Sequence, residues 1–310
     1  MRLPEFADGS STAERHALRL PVFGQGQALP STPTAGPDPA AAERLLQRIG
    51  KKAGEAAGDY AMLADGDRVM VCVSGGKDSY ALLDVLLGLQ RRVKARFELL
   101  AVNVDQGWPG YATDVIAKHL ESRGVAVHMI AAHEIASTVE RVLNPEETGA
   151  TPCSLCSRLR RGVLYSLADR LGATKIALGH HLDDLCETLL LNLFFAGSLG
   201  TMPPRLTSGD GRHVVIRPLA YVEERDLRAL SAAAAYPTVR CSCPTCGLPD
   251  QQRQVMKRML GQLEELHPRL KTQMLAAMRN VRSEALLDQS LQAVVAGAMA
   301  PTVRVAGGVL

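Results

Sequence analysis

The chain has 310 residues, 46% hydrophobic and 22% charged, which is enough for a sizeable core in one large domain or two small ones. Its 35 basic and 32 acidic residues leave a net charge of only +3, so overall charge does not argue for nucleic acid, and any such contact needs local basic patches. No stretch of eighteen apolar residues is present and the first residues lack the apolar core of a signal peptide, so we expect a cytoplasmic protein with no membrane partner.

Residues 1–41 are rich in Pro, Gly, Ala and Ser without periodicity, and are expected to be a disordered extension. Helical spacing begins at 42–62, with Arg44, Arg48, Lys51 and Lys52 along it. A βα rhythm follows. Strands are expected at 67–73, 97–104, 125–131 and 175–179, and helices at 78–91, 112–123, 133–143, 155–171 and 182–196. Apolar strands alternating with helices predict an α/β fold, a doubly wound parallel sheet covered on both faces. Asp210-Gly211 marks a hairpin turn, and helices at 222–234, 251–266 and 269–281 predict helical C-terminal additions. The main domain is expected over 42–285, with 286–310 as a flexible tail.

The segment Ser74-Gly75-Gly76-Lys77-Asp78-Ser79 falls between the first strand and its helix. Two glycines allow a tight turn, and the helix N-terminus behind them offers backbone N–H groups to an anion. Lys77 adds charge, Ser74 and Ser79 add hydroxyls, and Asp78 is a candidate ligand for Mg2+. The spacing is neither that of a Walker A loop nor that of a dinucleotide fingerprint. The next strand ends at Asp105, at the same sheet edge, and Gly179, His180, Asp183 and Asp184 follow the fourth.

Seven cysteines sit in a chain expected to be cytosolic, where clustered thiols point to metal or redox chemistry. Cys153 and Cys156 form one Cys-x-x-Cys pair, and Cys243 and Cys246 form another, with Cys241 beside it. The spacing fits a four-thiolate zinc site or an Fe–S cluster. Cys72 on a strand and Cys186 on an apolar helix face read as small core residues. Arg158, Arg160 and Arg161 follow the first pair, and Arg253, Lys257 and Arg258 follow the second; next to a nucleotide site these suit RNA phosphates. With 4% aromatic residues, base stacking is not the main source of affinity.

The loop "SGGKDS" and the segment "GHHLDD" resemble those of the N-type ATP pyrophosphatases, the PP-loop or adenine nucleotide α-hydrolase-like superfamily. With "PCSLCSRLRRGVLY", "MPPRL", "VIRPLAYVEERDL" and "CPTCG", the resemblance over residues 42–285 is to the tRNA-cytidine(32) 2-sulfurtransferases, or tRNA 2-thiocytidine synthetases. What it implies is adenylation of the C2 oxygen of cytidine 32 and transfer of sulfur from a [4Fe-4S] cluster. ATP and Mg2+ would use Ser74, Gly75, Gly76, Lys77, Asp78, Ser79, Asp105 and His180, with Lys77, Asp78 and Asp183 as catalytic groups. Cys153, Cys156 and Cys246 would ligate the cluster, with Cys243 as the alternative and Cys241 a weaker one, because this chain has three cysteines where the family pattern has two. Implied partners are tRNA and a cysteine desulfurase as sulfur donor; whether two copies form a homodimer stays open. Two other readings stay open: a PP-loop tRNA-modifying ligase with structural zinc, and a non-catalytic Fe–S RNA-binding protein.

Overall fold

The computed structural model describes residues 36–142, 152–239, 243 and 251–295. Helix α1 spans Pro39–Asp59, starting three residues before the sequence pattern predicts. Asp38 caps it, accepting the Ala41 N–H at 2.9 Å, and proline at the first helical position needs no N–H partner. Strand β1 (Arg68–Cys72) leads through the glycine loop into α2 (Lys77–Gln90). Then follow β2 (Glu98–Asp105), α3 (Thr113–Glu121), β3 (Ala126–Ala131) and α4 (Glu134–Val142). Helix α5 (Pro152–Leu171), β4 (Lys175–Ala177) and α6 (Leu182–Leu191) complete the βα series.

The sheet has the order β3-β2-β1-β4-β6-β5, where β5 is Arg205–Thr207 and β6 is Val214–Ile216. All neighbours are parallel except β5 and β6, the hairpin that Asp210-Gly211 predicts. Successive strands step from β1 to β3 on one side and from β4 onward on the other. The carboxyl ends of β1 and β4 are therefore the topological switch point, where such sheets leave a crevice. Both strand ends carry the residues singled out above.

Side chains alternate across β1. Val69 and Val71 enter the core beneath α1 and α2 with Ile49, Leu82 and Leu86, while Met70 enters the core beneath α4 and α5 with Ile135 and Leu167. Two covered faces explain why the strands read as continuous apolar runs. Helix α6 ends at Leu191, short of the expected 196, in a single wide π turn at Asn192–Ala196 closed by Gly197 in the left-handed region. A 3-10 turn at Pro218–Tyr221 precedes α7 (Glu224–Ala233), and α8 (Gln252–Leu266) and α9 (Leu270–Arg279) pack on α6. The region expected to be a tail carries a short helix, α10 (Gln289–Val295). Among the described residues no helix is long and apolar enough to cross a membrane.

Leu82 is fully buried between α2 and the sheet. Replacing Leu82 with Ala should cost roughly 2–5 kcal/mol, read as a lower denaturant midpoint at unchanged m-value.

Candidate active site

The glycine loop is held from four directions. Gly75 has φ near +79°, and a Cβ there would lie 2.7 Å from Ile116 Cδ1, so the position takes glycine alone. Its carbonyl accepts the Val239 N–H at 2.9 Å. Tyr111 donates its hydroxyl to the Ser74 carbonyl at 2.9 Å, and Asn103 donates to the Val73 carbonyl at 2.7 Å. The Ser79 hydroxyl donates to the Gly76 carbonyl at 2.8 Å and accepts the Ser74 N–H at 3.2 Å. Ser79 is buried and staples the loop shut from inside.

Gly179 follows β4 and meets the first turn of α2. A Cβ there would sit 3.2 Å from the Asp78 carbonyl carbon and oxygen. The approach sets His181 Nε2 3.8 Å from Asp78 Oδ1, a buried carboxylate oxygen with no hydrogen-bond partner within the chain. His180 accepts from Arg217 Nε at 3.3 Å through Nδ1, and Arg217 donates to the Pro203 carbonyl at 2.6 Å. Burial, with Arg217 and Arg253 nearby, takes His180 down to about 4, so it is a neutral imidazole at physiological pH. Burial brings Arg217 down to about 10, still cationic.

The two aspartates at the start of α6 behave differently. Asp183 is buried, with Oδ2 accepting the Glu224 N–H at 2.7 Å and Oδ1 against Lys271 Nζ at 2.6 Å. Asp184 is the more open of the two. Its Oδ2 accepts the His181 N–H at 3.0 Å and its Oδ1 lies 3.4 Å from Arg253 Nη1. Burial pulls Asp184 upward, but His181, the N–H bond it accepts and Arg253 outweigh it, and its carboxyl stays below the ordinary range. One turn on, Glu187 is pushed up to about 7 by burial and then by the Asp184 charge, although Arg253 stands 3.3 Å away.

Lys77 is paired with Asp78 and with Glu224, each at 3.0 Å. Glu224 is buried and binds Arg228 at 3.1 Å and Lys257 at 2.9 Å as well. Burial works against its ionisation, but Lys77 and Lys257 outweigh it and hold the carboxylate far below its usual range. Glu224, Arg217, His181 and Lys271 are site residues that the sequence reading did not single out. Arg217 and Glu224 lie in the segment "VIRPLAYVEERDL" and His181 in "GHHLDD", while Lys271, on α9, carries no such signal. Arg253 and Lys257, read from sequence as RNA contacts, pair with Glu187 and Glu224 and keep more than a third of their side chains exposed.

Asp105 ends β2 as expected, and its carboxylate accepts the Gly107 N–H at 2.9 Å and lies 3.1 Å from His133 Nε2. Behind the glycine loop a cavity of about 320 Å3 is lined by Ser74, Gly76, Gln106, Trp108, Tyr111 and Arg160, among others. Cys72, expected to be a plain core residue, borders this cavity, and its surroundings push the thiol up to about 12, so it stays protonated. Cys186 is fully buried, as expected of a core residue.

Cys153 falls in the first turn of α5, with Cys156 one turn further. The Cys156 thiol donates to Gln106 Oε1 at 3.1 Å. Cys243 is buried in the apolar cluster of Trp108, Val139 and Leu167, against which Cys156 also packs, so the two cysteine segments converge on one core. Cys241 and Cys246 lie outside the described residues.

A glycine loop at a switch point, gripped by a Gly-His-His segment, defines a PP-loop nucleotide-binding domain. A family model described as a PP-loop domain matches residues 43–236. The tRNA-cytidine(32) 2-sulfurtransferase of Geobacter sulfurreducens is 47% identical over 246 residues, covering 79% of this chain and 94% of that protein. That of Alkalilimnicola ehrlichii is 52% identical over 248 residues, covering 80% and 77%. Among solved structures, the U34-tRNA thiolase NcsA from Methanococcus maripaludis with its [4Fe-4S] cluster has a TM-score of 0.62 at 22% identity, covering 76% of this chain and 79% of that one, a likeness of fold. The chain belongs to the tRNA-cytidine(32) 2-sulfurtransferase family.

The raised Glu187 carboxyl has a consequence for stability. Its folded value of about 7 exceeds the ordinary 4.5, so the folded chain binds this proton more tightly than the unfolded one. Its contribution is fully present below 4.5 and is lost as pH rises through about 7. Glu187→Gln should therefore gain stability relative to the parent between pH 5 and pH 8, read from urea midpoints of both proteins at each pH.

Proposed function

We propose that this chain is an ATP-dependent tRNA thiolase that exchanges the C2 oxygen of cytidine 32 for sulfur. The observation that carries this reading is the cavity that begins at Ser74 and Gly76 of the phosphate loop and ends at Gln106, the hydrogen-bond partner of Cys156. Phosphate activation and thiol chemistry thus share one wall. The cavity's size suits a small ligand.

In this reading the N-terminus of α2 and Lys77 receive the ATP phosphates. The C2 oxygen of the flipped cytidine bonds to the α-phosphorus as the bond to the β-phosphate oxygen breaks, and pyrophosphate leaves. Sulfur then bonds to C2 as AMP departs with the oxygen. Lys77 exchanges its Glu224 partner for phosphate, and Glu224 keeps Arg228 and Lys257. Neutral His180, fixed by Arg217, is a hydrogen-bonding group that adds no charge near the phosphates. Asp183 works at one remove: through Lys271 and the Glu224 N–H it fixes α7 and α9 against the loop. Asp105 likewise shapes the loop that borders the nucleotide.

The unpartnered, buried Asp78 Oδ1 fits a divalent cation, and Asp78 would hold Mg2+, which when bound neutralises phosphate charge. The cysteines also fit a cluster, since thiols are its ordinary donors and Cys156 packs against the core that holds Cys243. Cys153 and Cys156 would hold it, with a third thiol from the Cys243–Cys246 pair. When bound, a [4Fe-4S] cluster supplies an iron at which an exogenous sulfur atom is carried. Three cysteine ligands would leave room for that atom; a cysteine desulfurase would supply it as persulfide sulfur, which a thiol reductant reduces by two electrons to sulfide before it bonds to C2. Arg158, Arg160 and Arg161 on α5 face tRNA phosphates in this reading.

Nucleoside analysis of tRNA from a deletion strain should show loss of 2-thiocytidine, restored by the intact gene; retention of the nucleoside refutes the reading. Stoichiometric zinc without iron in anaerobically purified protein would refute its sulfur chemistry. In vitro, Lys77→Ala should fold, because Glu224 retains two cations, and should lose tRNA-dependent pyrophosphate release on the order of a hundredfold.

A further inference from the structure

We propose that Gln106 is a positioning residue for Cys156, whose side-chain amide sets the electron density on that sulfur once a cluster is bound. The inference rests on the reading above, in which Cys156 is a cluster ligand.

The geometry is specific. The Cys156 thiol donates to Gln106 Oε1 at 3.1 Å, across fifty residues of sequence. The backbone that carries Gln106 is pinned on both sides. The Gly107 N–H donates to Asp105 Oδ1 at 2.9 Å, and Asp105 Oδ2 lies 3.1 Å from His133 Nε2. The Gln106 carbonyl accepts the Ala136 N–H at 3.0 Å, from the first turn of α4. Gly107, with φ near +87°, lets the chain pass His133 so closely that a Cβ would lie 2.8 Å from His133 Cα. Both Asp105 carboxylate oxygens are thus spent on aiming the next residue. Gln106 lines the cavity, and its amide oxygen accepts from Cys156.

The chemistry follows from the donor inventory. A thiol donates its proton to a carbonyl oxygen, as here. A metal-bound sulfur is a thiolate, which has no proton and repels that oxygen. The amide carries its NH2 on the opposite side of the same terminal group, and its last torsion is roughly two-fold. A half-turn therefore places Nε2–H where Oε1 stood, with no movement of the pinned backbone. An N–H···S bond withdraws charge from the sulfur. It favours the reduced, more negative form of a cluster and so raises its reduction potential.

The test uses the full chain, reconstituted anaerobically, as wild type, Gln106→Leu and Gln106→Glu. Iron and sulfide content are measured first, and then the reduction potential by a titration followed by electron paramagnetic resonance. All three proteins should carry equal iron. The potential should fall from wild type to Gln106→Leu, which lacks the N–H, and fall further in Gln106→Glu, which adds a negative charge as well. A purely packing role would lower iron content without ordering the potentials this way. Equal potentials in wild type and Gln106→Leu at equal iron content overturn the inference and leave the proposed function standing. A wild-type chain that binds no cluster overturns both. Should Gln106→Leu fail to load, Gln106→Asn decides on the same readout: its amide is one methylene too short to reach, so an unchanged potential overturns the inference and a lowered one supports it.

Discussion

Gly179 lies so close to the first turn of α2 that its missing side chain is the condition for the whole site. A Cβ there would press on the Asp78 carbonyl at 3.2 Å, and the strand end and the helix start would have to part. Their contact places the Gly-His-His-x-Asp-Asp segment against the phosphate loop. It sets His181 beside Asp78 and starts α6 with its carboxylates turned toward the same crevice. The switch point of the sheet makes such a meeting possible, since β1 and β4 are neighbours whose connections run to opposite sides.

Charge then ties the C-terminal helices to that crevice. Buried carboxylates are costly unless cations and N–H groups meet them. Here Glu224 takes Lys77, Arg228 and Lys257, Asp183 takes Lys271, and Asp184 with Glu187 takes Arg253. The cations come from α2, α7, α8 and α9. The carboxylates are buried while Arg228, Arg253 and Lys257 reach solvent, so these pairs act less as adhesive than as a register that fixes where each helix sits.

The periodicity of the apolar runs made the βα series legible, because strands buried on both faces show it strongly. Boundaries moved where capping or closure decided them: Asp38 drew α1 back to Pro39, and the π turn before Gly197 ended α6 early. The phosphate loop was legible as a motif, and its backbone holds as the glycines require. The role of Ser79 inside the loop was not, because a hydroxyl looks the same whether it turns to a ligand or to a carbonyl. Arg253 and Lys257 looked like a solvated basic face because a helical pattern does not reveal which buried carboxylates lie opposite. Glu224 was invisible for the same reason, its three cations being remote or ordinary in sequence.

By itself the sequence determined the parallel sheet, the glycine loop at its edge and the pairing of a phosphate motif with two Cys-x-x-Cys segments, because period, glycine placement and short spacing are local properties. Only the tertiary structure decided that Cys156 and Cys243 pack into one core. It alone decided that Gln106 reaches Cys156 from a loop fixed by Asp105, and that Glu224 gathers the cations of three helices. Apart from Arg228, one turn from Glu224, these are contacts between residues far apart in the chain. They exist because burial forces every charge and every buried N–H to find a partner, and sequence spacing does not encode which partner the folded chain will bring.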